Sequence, residues 1–290
     1  KDQCILTGLF FRPTVLYPRR SMKKILKSLY QSVKPKWPKP KHDESDQPFF
    51  LFLLTPPNSG STAIAKVLDS SPRTMTLTPN GEGQWLVPGL CSEDRWDPDK
   101  EVDYSSVKAV WLNRYQKVKS EHSEVDVVIE KSPPNMMRIA DLSRQFDRVS
   151  FLANNRDPYA NCSSRLFRYH DVENVTSSSR QEILRDLARI WVGRSRRIRE
   201  FVEVGGVPVL TYERFCESPS LLLDMLSLPE GVAETISLNT HVKVKDYEPQ
   251  PIINQNQRQI SNLTAADIDC LNSVLYPERD LLGYFDYELL

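Results

Sequence analysis

The chain has 290 residues, 40% of them hydrophobic, which is enough to bury one large core. Lys plus Arg and Asp plus Glu each number 38, so the net charge is zero and no whole-molecule field steers the protein toward a nucleic-acid polymer. The cysteines Cys4, Cys91, Cys162, Cys216 and Cys270 are dispersed and form no C-x-x-C pair, which argues against a zinc site or a disulfide framework.

Residues 1–47 differ from the rest. Arg12, Arg19, Arg20, Lys23, Lys24 and Lys27 crowd the first half, where Met22, Ile25, Leu26 and Leu29 share one helical face. The KPKWPKPK run over 34–41 is punctuated by proline and cannot be helix interior. A short basic amphipathic helix and an extended linker are expected, forming an arm on a domain that spans 48–290. No run approaches the roughly 18 apolar residues of a membrane helix, so no transmembrane segment and a cytoplasmic location are expected. Because the chain begins at Lys1 and not Met, a lost anchor and a lumenal location are the alternative. N-x-[ST] sequons stand at Asn161, Asn174 and Asn262.

From residue 48 strands and helices alternate. Residues 49–55 read as a fully apolar strand and 61–70 as a helix. A helix over about 104–120 precedes a strand over 125–130. An amphipathic helix is expected at 135–146, a strand at 149–154, and a helix at 158–170 opened by proline. A long helix over 182–204 precedes a buried strand at 207–211. This order predicts an α/β fold of three layers with a central parallel sheet.

The segment 53–68 runs from a buried strand through a small-residue turn into a helix. That order presents backbone N–H groups and a helix N-terminus to an anion. Gly60 permits close approach, and Ser59, Ser61 and Thr62 add hydroxyl donors. A Mg-nucleotide P-loop needs G-x-x-x-x-G-K-[ST], but Thr55 replaces the first glycine and Ser61 the lysine, which removes the kinase reading. An ordinary strand-to-helix turn remains the alternative. Further on, Arg156 at a strand end offers a planar fork of donors to a phosphate. Ser164 follows on the next helix, with Arg168 one turn later on the same face.

These segments resemble the sulfotransferase superfamily. Pro57-Asn58-Ser59-Gly60-Ser61-Thr62 lies over the family's P-[KR]-S-G-T-T donor motif. Arg156-Asp157-Pro158 with Ser164 is similar to its 3′-phosphate motif, and an arginine at the offset of Arg168 also contacts phosphate in tyrosylprotein-type members. Glu130-Lys131-Ser132-Pro133 resembles the E-K-[ST]-P of glycan sulfotransferases, and Tyr212-Glu213 the strand-ending pair whose tyrosine packs near the adenine. The tail, 260–275 and 281–284, resembles bacterial members. The resemblance covers about 48–290 and implies a P-loop-like fold that binds 3′-phosphoadenosine-5′-phosphosulfate (PAPS) and releases the bisphosphate PAP.

The implied reaction moves a sulfuryl group to a hydroxyl acceptor, whether small molecule, glycan or peptide tyrosine. TPNGEGQW over 78–85 resembles the region bearing the catalytic base in tyrosylprotein enzymes, which assigns that role to Glu82. Lys131 is the expected cation at the transferred group. Arg258 lies where the family often carries a basic residue that closes over the donor. Asn58 departs from the pattern, because the family has Lys or Arg there; losing a charged donor would cost about 2–4 kcal/mol of transition-state stabilisation. A nucleotide-binding protein with impaired catalysis is therefore the second reading. His42, His122, His170 and His241 have no metal-ligand spacing, so no metal is expected, and the sequence carries no signal of oligomeric state.

Overall fold

The apolar run FFLFLL forms β1 (Phe49–Leu54), and all of it is buried. A strand that is apolar at every position needs cover on both faces, and the computed structural model shows both. The structure describes residues 47–239, 241, 242 and 248–290. The arm expected over 1–47 lies, Gln47 apart, outside the described residues.

On one face of β1, Phe50 and Phe52 meet Trp111, Phe146 and Phe151, with ring centroids 4.4 Å apart for Phe50–Phe146 and 5.5 Å for Phe52–Phe151. These separations suit edge and offset packing of aromatic rings. On the other face, Phe49, Leu51 and Leu53 join Ile64, Val67 and Leu68 of helix α1 (Ser61–Leu68), together with Phe215 and Leu222.

Strands β2 (Thr74–Thr76), β3 (Val127–Glu130), β4 (Val149–Asn155) and β5 (Val209–Thr211) complete a parallel sheet of order β2-β3-β1-β4-β5. Leu51 pairs with Ile129 of β3 on one side and with Ser150 of β4 on the other. The chain first builds the β2–β3 side of β1 and then crosses to the β4 side. A sheet that reverses its winding in this way opens a crevice outside the carboxyl ends of its strands.

Helix α2 (Tyr104–Glu121) buries Tyr104, Val107, Trp111 and Tyr115, a three-to-four spacing that turns one stripe inward. Helix α3 (Ile139–Gln145) follows β3, and α4 (Pro158–Tyr169) follows β4. The longest helix, α5 (Ser177–Gly205), is capped by Thr176 and buries Trp191. The chain closes through α6 (Tyr212–Glu217), α7 (Leu221–Met225), α8 (Asn256–Ile260), α9 (Ala265–Leu275) and α10 (Arg279–Tyr284).

The differences from expectation have local causes. β2 lies outside the expected strands, because its Thr-Met-Thr run offers no apolar stretch to read. The helix expected at 135–146 breaks at Arg138, whose φ of −134° and ψ of 30° lie outside the helical region. Its guanidinium instead donates to the carbonyls of Arg95 and Asp97, at 3.0 and 2.6 Å. In the tail, Thr264 and Asp267 form the capping box that starts α9. The Asn161 sequon is buried inside α4, whereas Asn174 and Asn262 are exposed. No helix among the described residues is long and apolar enough to cross a membrane.

Candidate active site

Every polar group of interest leaves the same edge of the sheet. Asn58 follows β1, Glu82 follows β2, Lys131 follows β3, Arg156 follows β4 and Tyr212 follows β5. A cleft of about 1450 Å³ opens over that edge.

The turn after β1 has two residues with left-handed backbone, Asn58 (φ 63°) and Gly60 (φ 84°). Asparagine is one of the few residues besides glycine that takes this conformation at low cost, which gives a local reason for its presence. Gly60 is required for a second reason: a Cβ there would stand 2.2 Å from Cδ2 of Tyr212. Pro57, Asn58, Gly60, Ser61 and Thr62 line the cleft. Ser59 does not; it is fully buried, and its Oγ accepts from Asn161 Nδ2 at 3.2 Å.

The turns after β1 and β4 are bonded to each other. Arg156 Nη1 donates to the carbonyl of Asn58 at 3.0 Å, and Asn161 Nδ2 to that of Pro57 at 2.9 Å. Arg156 Nε donates to Asn256 Oδ1 at 2.8 Å, and its guanidinium lies 4.4 Å from the centroid of the Tyr212 ring. Arg156 Nη2 is buried with no hydrogen-bond partner. A buried guanidinium N–H in that state is costly and suits an incoming oxyanion. Asn256 in turn donates to Glu213 Oε1 at 2.6 Å, and Glu213 accepts from the Tyr287 hydroxyl at 3.0 Å. This chain of contacts holds the arginine in one orientation.

Ser164, Arg168 and Arg258 also line the cleft. Asp157 caps α4 by accepting from Ala160 N at 2.8 Å and does not pair with Arg156. The Tyr212 ring backs Gly60 and Arg156, while its hydroxyl donates to the carbonyl of Ile253 at 3.0 Å.

On the other side of the cleft Glu82 and Lys131 meet, with Lys131 Nζ 3.2 Å from Glu82 Oε1. The Lys131 side chain is 3% exposed and that of Glu82 20%. Glu82 Oε2 accepts from Gln84 Nε2 at 2.8 Å and Trp85 Nε1 at 3.0 Å, so the carboxylate is fixed from both ends. Gly81 (φ 81°) passes so close to the lysine that a Cβ would sit 3.0 Å from Lys131 Cγ. Lys131 N donates to the Gly81 carbonyl at 2.9 Å, which bonds the two loops together. Among nearby aromatics, Trp111 and Tyr104 are core, whereas Trp85 is 63% exposed and lines the cleft.

Glu130 pairs with no basic side chain among the described residues. It is fully buried and accepts from Gly83 N at 2.7 Å, Ser132 N at 3.0 Å, the Ser132 hydroxyl and the Asn135 amide. It thereby fixes the backbone beside Glu82. Burial pushes its carboxyl up from 4.5 to about 7, against the pull of these donors. A carboxyl raised in the folded state binds more protons there than in the unfolded chain across that interval. Its contribution to stability therefore falls as pH rises from 4.5 toward about 7. Relative to wild type, Glu130→Gln is expected to gain stability in urea denaturation as pH is raised from about 5 to about 8. A difference that stays flat over that range would show that another group titrates.

Sequence reasoning missed Asn161 and Asn256, because uncharged amides in helices carry no pattern of their own. Among the described residues, no group of three or more His, Cys, Asp or Glu side chains is placed to hold a metal ion.

No protein-family model and no curated protein matches the sequence. Solved structures do match. The sulfotransferase domain from the Synechococcus PCC 7002 olefin synthase is 19% identical, with a TM-score of 0.50 over 86% of this chain and 99% of that one. Sulfotransferase STF9 from Mycobacterium avium is 15% identical, with a TM-score of 0.48 over 90% of this chain and 82% of that one. The sulfotransferase domain from the curacin biosynthetic pathway is 16% identical, with a TM-score of 0.44 over 85% of this chain and 100% of that one.

Proposed function

The chain has the fold of the sulfotransferase superfamily, and we propose that it transfers a sulfuryl group from PAPS to a hydroxyl acceptor. The observation that carries this reading is the junction of the two turns. Arg156 bridges them through the Asn58 carbonyl and keeps a buried Nη2 without a partner. One molecule with phosphates at both ends would meet the β1 turn at one end and Arg156, Ser164 and Arg168 at the other.

PAPS would supply the sulfuryl group and a phosphate leaving group. The residues of the chain supply the rest. Glu82 takes the proton of the acceptor hydroxyl as the acceptor oxygen bonds to sulfur. The bond from sulfur to the phosphate oxygen breaks, and its electron pair leaves on the bisphosphate. Lys131, bonded to Glu82 in this structure, stabilises the negative charge gathering there and on the transferred group. Glu82 then releases its proton to solvent. With Asn58 neutral, Lys131 carries the task that a second cation has elsewhere in the superfamily.

The test is thermal denaturation with PAP and no Mg²⁺. At a hundredfold excess over Kd, binding stabilises by about 2.7 kcal/mol, a rise of several degrees. No shift for folded protein at millimolar PAP would sink the proposal. Asn58 favours a second reading, a nucleotide-binding protein with impaired transfer. PAP binding without sulfation of any phenol, sugar or alcohol in a panel would select it.

A further inference from the structure

Three arginines from separate elements, Arg95, Arg165 and Arg194, come near one another. Arg165 belongs to α4, one residue after Ser164 and four before Tyr169, both of which line the cleft. Arg194 projects from α5, its guanidinium 3.9 Å from the centroid of the Trp96 ring. Arg95 precedes Trp96 on a turn (Glu93–Trp96) held by the two bonds from Arg138. Burial, with the charges of Arg165 and Arg95 beside it, brings Arg194 down to about 9. Arg165 is lowered too, again chiefly by burial.

Among the described residues, the cluster lacks a counter-charge. Arg165 Nε and Nη1 are buried without a hydrogen-bond partner. Among the described residues, Arg95 donates to the carbonyls of Cys91 and Ser92, at 3.1 and 3.2 Å, and to no carboxylate. The contrast lies along α5 itself: Arg180 pairs with Asp267, Arg196 with Glu278, Arg197 with Glu200 and Arg199 with Glu203. Carboxylates are thus matched to other arginines of this helix, and Arg194 has an indole face instead. Neighbouring like charges withdrawn from water are costly unless an anion joins them.

We propose that Arg95, Arg165 and Arg194 receive an anionic group (carboxylate, sulfate or phosphate) carried by the acceptor, which is therefore an acidic hydroxyl compound. Guanidinium forks match planar and tetrahedral oxyanions in two-bond geometry, and stacking on Trp96 keeps Arg194 oriented. The role of the acceptor rests on the proposed transfer reaction; the anion site does not.

The first experiment saturates the full chain with PAP, so that added anion has no donor site to enter. It then reads melting temperature in sodium sulfate against sodium chloride at matched ionic strength. Sulfate is expected to raise the melting temperature of wild type above the chloride value. The Arg165→Gln/Arg194→Gln variant is expected to lose that difference and to melt above wild type in chloride, because like charges have been removed. Equal melting in both salts, or a sulfate effect that survives in the variant, overturns the site. Arg95→Gln, on an exposed turn, tests the same loss if the double variant does not fold.

The second experiment compares 4-hydroxyphenylacetate with 4-hydroxyphenylacetamide. Wild type is expected to favour the acid by about tenfold in kcat/KM, and Arg194→Gln to favour neither. No preference for the acid, in turnover or in melting temperature, assigns the site to a free anion and overturns the acceptor claim. PAP failing to bind while the sulfate response persists fails the transfer reading and leaves the anion site standing.

Discussion

Replacing Glu82 with glutamine is expected to lower kcat by about 10²-fold or more, while PAP affinity changes less than about threefold. Glutamine keeps the shape and an acceptor oxygen for Gln84 and Trp85, so the loop that Glu82 joins is preserved. What disappears is the carboxylate that pairs with Lys131 at 3.2 Å and that we propose takes the hydroxyl proton. Lys131→Ala is expected to lower kcat by about 10²–10³-fold, because a charged donor is withdrawn from a water-poor place where the proposed reaction gathers negative charge. The two effects should not multiply. With its partner gone, each residue has already lost the contact that orients it. Full turnover by Glu82→Gln would remove this residue as the base, and Glu130, fully buried beneath it, would have no access to replace it.

Arg156→Ala is expected to act on donor binding. Loss of one charge-assisted contact corresponds to about 1.5–3 kcal/mol, or roughly 10–150-fold in Kd for PAP. Stability should fall as well, because the Asn58 carbonyl and Asn256 Oδ1 lose their donor in a buried place. Arg156→Lys should recover only part of the affinity, since an ammonium cannot hold the Asn58 carbonyl, Asn256 and a phosphate with one planar fork. Calorimetric titration with PAP separates the two outcomes. An unchanged Kd in Arg156→Ala would mean that the unpartnered Nη2 faces no ligand, and the donor assignment would fail with it.

Much of this architecture was legible locally. The run of six apolar residues in β1 demands cover on both sides. Alternation of strand and helix demands a parallel sheet. Pro158 after Asp157 marks a helix start that the structure reproduces. The small-residue turn over 57–62 and the arginine of a later strand end were visible as separate anion-seeking features.

Only the tertiary structure decided how they combine. Strand order places β4 beside β1, although β2 and β3 come between them in the chain. That order brings Arg156 to the Asn58 carbonyl and carries the loop after β2 over the end of β3, so that Glu82 meets Lys131. Amide partners such as Asn161 and Asn256 become meaningful only once that packing exists. The unmatched cluster of Arg95, Arg165 and Arg194 is the clearest case, since its members come from three separate elements. A sequence determines which groups carry charge and which segments must be buried. Charge becomes a site only when packing sets distances and withdraws water, and both are properties of the assembled fold.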